Sequence, residues 1–201
     1  MSDSYKTIVG DIRAETKVQG SRFIATAHHA ETKGEAEKFI DTVRREFHDA
    51  THNCYAYRVR THGNLFRFSD DGEPNGTAGK AILGAIDKLE LTDIVLVVTR
   101  YFGGTKLGAG GLARAYAGAA EAALKKVEQV TRFIMEPVLA TFPHAQIGNV
   151  MHVVSHHQAK IIDTSYDEDV HLRMEIRQSH APEFKDALIN ATSGNIVLKS
   201  G

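Results

Sequence analysis

Two glycine-rich, charged loops hold most of the residues whose types and spacing can do chemistry. The first, Ser69 to Lys80, places Asp70, Asp71, Glu73, Thr77 and several glycines ahead of Lys80. The second, Thr99 to Gly111, places Arg100, Tyr101, Phe102, Gly103, Gly104 and Lys106 ahead of three further glycines. A glycine-rich turn that opens a helix presents backbone N–H groups to an anion. The specific phosphate motifs are broken, however. A Walker A loop needs Gly six residues before its lysine and Ser or Thr after it, where this chain has Pro74 and Ala81. Gly108, Gly110 and Ala113 match the dinucleotide spacing, yet they lie well past the strand end at Thr99 and no strand-end acid follows. No NAD or ATP site is expected, and no cofactor.

Asp70, Asp71 and Glu73 read first as carboxylates that cap a helix N-terminus and complement its dipole. Read second, they are Mg²⁺ ligands, which would suit a metal-assisted enzyme acting on a phosphorylated small molecule or a nucleotide. The metal question stays open at this level. Among the 11 histidines, His28 with His29, His52 with Cys54, and His156 with His157 stand closest, and none has a third ligand at zinc spacing. His52 alone is kept as a candidate, at the start of a strand. No G-x-S-x-G motif and no readable nucleophile triad occurs, so no catalytic residue is assigned.

Cations and aromatics suggest a different chemistry. Arg58, Arg60 and Arg67 fall in a strand pair read as Asn53 to Arg60 and Leu65 to Ser69, turning through Thr61, His62, Gly63 and Asn64. Placed on one face, and joined by Arg22, Arg100, Lys80 and Lys106 with Tyr55, Tyr57 and Tyr101 between them, they would suit phosphates and stacked bases. The plainer expectation is that these arginines pair with acids of the helix Lys33 to Phe47 or solvate an open sheet.

The elements that must position these groups are partly legible. Ile94 to Val98 is an unbroken aliphatic run, as in a strand covered on both faces. Residues 5 to 13 and 21 to 28 read as strands with a turn from Lys17 to Ser21. Ala36, Phe39, Ile40, Val43 and Phe47 share one helical face. Each glycine-rich loop leads into a further helix, the second reaching Val127. The expected N-terminal architecture is an α/β sandwich with helices on one side of a mostly antiparallel or mixed sheet. From Glu136 the order strand, helix, strand, strand, helix, strand describes a ferredoxin-like unit. An α+β chain of two domains follows, 1–134 and 135–201.

Bulk composition sets limits. The 201 residues carry a net charge of −1, so any nucleic-acid contact must rest on a local patch. A single cysteine excludes an internal disulfide framework. No apolar run is long enough to span a membrane, and Met1 to Lys6 offers no apolar leader. A cytoplasmic protein is expected.

The stretches DDGEPNGTAGKAIL (Asp70 to Leu83) and TRYFGGTKLGAGGLARAY (Thr99 to Tyr116), with KVQGSRFIA (Lys17 to Ala25) and DATHNCYAYRV (Asp49 to Val59), resemble the IMPACT family in its bacterial two-domain form. The resemblance covers essentially the whole chain. Family members commonly carry Pro at the position of Ala81 and an aliphatic residue at that of Lys106. The resemblance implies a ribosomal-protein-like fold for the N-terminal domain and supports His52 as a site residue. Eukaryotic members look like regulators of translation that block activation of a starvation-responsive kinase. The C-terminal unit resembles domains of elongation factor G. The function expected is thus a non-enzymatic binding protein linked to regulation of translation, with RNA, the ribosome or a translation-related protein as partner. A protein-interaction adaptor without nucleic-acid contact is the other alternative.

Overall fold

A computed structural model describes residues 3–59 and 65–200. Arg60 and the expected turn Thr61, His62, Gly63 and Asn64 lie outside the described residues. The first unit, Tyr5–Thr131, is built from β2 (Ile12–Val18), β3 (Ser21–His29), α1 (Lys33–Glu46), β4 (His52–Val59), β5 (Leu65–Ser69), α2 (Gly79–Lys88), β6 (Ile94–Tyr101) and α3 (Gly108–Leu124). Two further strands, β1 (Ser4–Val9) and β7 (Glu128–Phe133), pair with each other.

Five strands form one sheet in the order β2-β3-β6-β4-β5, and every neighbouring pair is antiparallel. The apolar strand β6 sits at its centre, and Ile94, Val95, Leu96, Val97 and Val98 are all fully buried. Its even residues pack with Phe23, Ala25, Cys54 and Ala56 against α2 and α3. Val95 and Val97 pack with Tyr55, Tyr57 and Val59 against Ala36, Ile40 and Val43 of α1. Helices therefore cover both faces, not one as the sequence led us to expect. A strand apolar at every position needs cover on both sides.

Local chemistry sets the element ends. Thr32 Oγ1 accepts the Glu35 N–H at 3.2 Å and so caps α1, while Glu35 Oε2 reaches back to accept the Glu31 N–H at 2.8 Å, one residue before the cap. The stretch expected as one strand over 5 to 13 breaks at Gly10, which takes φ +71°. Lys17 lies inside β2, and the turn is only Gln19 and Gly20, both at positive φ. The strand β7 was not foreseen, because its half-exposed sequence EQVTRF follows directly on a helical pattern.

The second unit contains β8 (Met135–Phe142), α4 (Ile147–His156), β9 (Lys160–Tyr166), β10 (Val170–Arg177), α5 (Ala181–Ala191) and β11 (Val197–Ser200), in β-α-β-β-α-β order. Its sheet runs β11-β8-β10-β9, all antiparallel. Val170, Leu172, Met174 and Ile176 face the core with Phe142, Val150, Phe184 and Leu188. Asp3 and Ser4 belong to this unit with residues 132–201. The Asp3 carboxylate accepts from Arg177 at 3.1 and 3.3 Å and from the Ser179 hydroxyl at 2.5 Å, and the Asp3 carbonyl accepts the Ile134 N–H at 2.6 Å. Arg177 in turn lies 3.6 Å over the Phe133 ring. Among the described residues no helix is long and apolar enough to cross a membrane.

Candidate functional site

The antiparallel order brings the starts of β3 and β4 and the ends of β5 and β6 to one end of the first unit, and α2 and α3 both begin there. The two glycine-rich loops meet at this end, because Glu73 of the first bonds Arg100 at the root of the second.

The first loop is folded around its own acids. Asp70 reaches forward to accept the N–H groups of Gly76, Ala78 and Gly79 at 2.8, 2.8 and 2.9 Å. It thereby caps α2, whose N-cap residue Ala78 has no polar side chain. Burial alone would raise the Asp70 carboxyl, but these three bonds outweigh it and hold its pKa below the usual carboxylate range. Asp71, at φ +46°, accepts from Arg44 at 2.6 Å and from the Asn53 N–H at 2.7 Å. Its carbonyl accepts from His52 Nδ1 at 2.8 Å, which fixes that tautomer and leaves Nε2 3.9 Å from Glu73. The Thr77 hydroxyl donates to the Pro74 carbonyl at 2.6 Å.

Glu73 and Arg100 form a buried ion pair at 2.6 Å, with side chains 4% and 6% exposed. Tyr116 donates to the same Glu73 oxygen at 2.8 Å. Arg100 also reaches the Ser21 hydroxyl at 3.4 Å and lies 5.6 and 5.5 Å from the ring centroids of Phe23 and Phe102. Its Nε is buried without a hydrogen-bond partner among the described residues. Beneath this pair the Cys54 sulfur lies 2.9 Å from the Asp70 carbonyl and 3.4 Å from the Tyr116 hydroxyl. Burial pushes that thiol up to about 12, so it stays protonated and inert.

The second loop is pinned by its backbone. The Phe102 N–H donates to Thr51 Oγ1 at 3.0 Å and the Gly103 N–H to Ser21 Oγ at 3.1 Å. A Cβ on Gly103 would lie 1.9 Å from the Gly20 carbonyl carbon, so only glycine fits. Gly104 follows at φ +90°. Tyr101 donates to Asp49 at 2.7 Å, and Arg22 lies 4.5 Å over its ring. Lys80 and Lys106 are exposed and make no ion pair among the described residues.

The single arginine face does not form. Cross-strand partners share a face, and the register pairs Arg58 with Phe66 and Tyr57 with Arg67, so Arg58 and Arg67 point to opposite faces. Arg58 bonds Asp87 of α2 at 2.7 Å, and Arg67 bonds Glu37 of α1 at 3.2 Å. Arg58 also lies at the far end of β4 from His52. Arg100 is internal and not offered to a ligand. The structure therefore assembles Arg22, His52, Asp70, Asp71, Glu73, Thr77, Arg100, Tyr101, Gly103 and Gly104 at one end and leaves Arg58 and Arg67 out. No group of three metal-ligating side chains able to hold an ion occurs among the described residues. Phe102, 48% exposed, was not among the expected site residues. The signal available was an aromatic set between a strand end and a Gly-Gly pair.

Comparison with known proteins identifies the family of the chain. The model of the Impact N-terminal domain matches residues 19–124, the span that holds both loops, and a domain of unknown function (DUF1949) matches residues 141–195. The IMPACT family member YvyE of Bacillus subtilis is 33% identical over 201 residues, covering 100% of this chain and 93% of the relative. YigZ of Escherichia coli is 32% identical, covering 90% of each. Protein IMPACT of Xenopus laevis is 40% identical over 62 residues, 29% of this chain and 19% of the relative. A crystal structure of a hypothetical protein aligns with a TM-score of 0.74 at 29% identity, over 100% of this chain and 98% of the other. The chain belongs to the IMPACT family.

Proposed function

We propose that this is a non-enzymatic binding protein that engages RNA, free or ribosomal, through the loop end of its first unit, in a role linked to translation. One observation carries the reading: the three acids of the first loop are taken up by protein groups while Lys80 and Lys106 face outward, and the exposed Asp49 at the same end accepts from Tyr101. Asp70 caps α2, Asp71 holds Arg44, and Glu73 neutralises Arg100. Lys80 and Lys106 remain exposed without ion pairs among the described residues. A chain of net charge −1 thus offers a locally positive end, which suits phosphate contacts. The resemblance to eukaryotic IMPACT regulators supports the link to translation, not the RNA contact itself. The metal-assisted enzyme loses its strongest donors, since all three carboxylates already bind protein groups.

The test is a titration of the full chain with labelled RNA at several salt concentrations. The expected result is salt-dependent binding that Lys80→Glu with Lys106→Glu weakens, lowering the slope of log K against log salt by roughly 0.7 per lost contact on a single strand. Absence of wild-type binding at low salt would hand the function to the protein adaptor.

A further inference from the structure

We infer that Phe102 is a stacking platform for one unpaired RNA base; this deepens the RNA reading above and rests on it. The ring is 48% exposed, although a phenyl group gains from burial. It is also held in place. Its own N–H is fixed by Thr51 at 3.0 Å, and the next N–H by Ser21 at 3.1 Å. The ring has the Arg100 guanidinium 5.5 Å from its centroid, and the Glu73 bond at 2.6 Å and the Phe23 ring at 5.6 Å hold that group in place. An aromatic ring presented rigidly to solvent has little conformational entropy left to lose when a flat ligand covers it.

Position singles out Phe102 from the other exposed aromatics. Phe66 and Phe68 lie on the edge strand β5, Phe133 ends β7 and belongs to the second unit, and Tyr166 ends β9. Among the exposed aromatics of the described residues, Phe102 is the one in the second loop itself, directly after Arg100 and Tyr101 and four residues before Lys106. Its contact with Arg100 puts it on the side of the sheet that carries α2 and α3. Lys80 lies in the first turn of α2 and Lys106 just before α3. A strand whose phosphates meet these lysines would bring a base over the ring. Duplex bases have both faces covered by their neighbours, so the platform selects single strands.

The experiment measures anisotropy of the full chain with a labelled single-stranded RNA of about 12 nucleotides and with the matching duplex. Variants are Phe102→Ala, Phe102→Leu and Phe102→Trp. Expected are tighter binding of the single strand, an affinity loss of about tenfold in both the alanine and leucine variants, a salt slope unchanged from wild type, and indole fluorescence quenched by RNA in the tryptophan variant. If Phe102→Leu binds as wild type, or the indole is not quenched, the stacking inference is overturned while the RNA reading stands on the lysine variants. If the wild type binds no RNA, both fall.

Discussion

Arg100 carries its charge inside the protein, and that one placement changes how the loops are understood. As a residue type it belonged with the phosphate-binding cations, and nothing in the sequence pairs it with an acid 27 positions earlier. The loop conformation makes the pair, since Asp70 takes the helix cap and so turns Glu73 inward. Breaking a buried pair leaves one charge uncompensated, at a cost of about 3–5 kcal/mol. Glu73→Gln is accordingly expected to lower the urea midpoint of the first unit substantially. Adding Arg100→Met should recover part of the loss, because the two residues share one interaction and their effects do not add. Equal or additive losses would show that the pair is not the structural bond described. Asp70 as a cap was legible from the sequence, because an acid ahead of a helix has few better roles. The burial of Arg100 was not, since the alternation of a strand end does not say which side a loop will cover.

At the scale of elements, strands and helices with a strong apolar pattern were legible, and their registers were not. The helix α1 shows its buried stripe openly, and β6 shows by its unbroken apolar run that both faces are covered. The arginines of β4 and β5 needed the pairing register, which the sequence of a hairpin fixes only where its turn type is plain. The partner of β7 is β1, more than a hundred residues away, and a half-exposed strand gives no local signal of so distant a neighbour. With Arg58 and Arg67 on opposite faces, each in a partly exposed ion pair, Arg58→Ala and Arg67→Ala should each cost no more than about 1 kcal/mol and should add. Neither should alter RNA affinity. A shared loss of affinity in the two single variants would restore the common basic face.

Across the whole molecule, the α+β class and the β-α-β-β-α-β order of the second unit were readable from periodicity, whereas the fold of the first unit came from family resemblance. No pattern marks Asp3 and Ser4 as part of the second unit, because a two-residue contribution has no period. Arg177 and then Ser179 hold the Asp3 carboxyl well below the usual carboxylate range. A pKa lower in the folded state than in the unfolded one stabilises fully above the unfolded value near 4 and loses that contribution as pH falls. Asp3→Asn should therefore reduce the thermal stability of the second unit near neutral pH and flatten its decline between about pH 4 and about pH 2. An unchanged acid limb would mean that other carboxylates govern it.

The same bond has a consequence for how the chain is made. Asp3 precedes Arg177 by 174 residues, so its carboxylate is synthesised long before the groups that neutralise it. Tyr5–Thr131 can close on itself while the later residues are still being added. Asp3 must wait, solvated, until β10 exists. A product that stops short of Arg177 leaves Asp3 without its guanidinium partner and the Phe133 ring without the cation that lies over it. The first residues of the sequence thus act as a seal that only late-made residues can close.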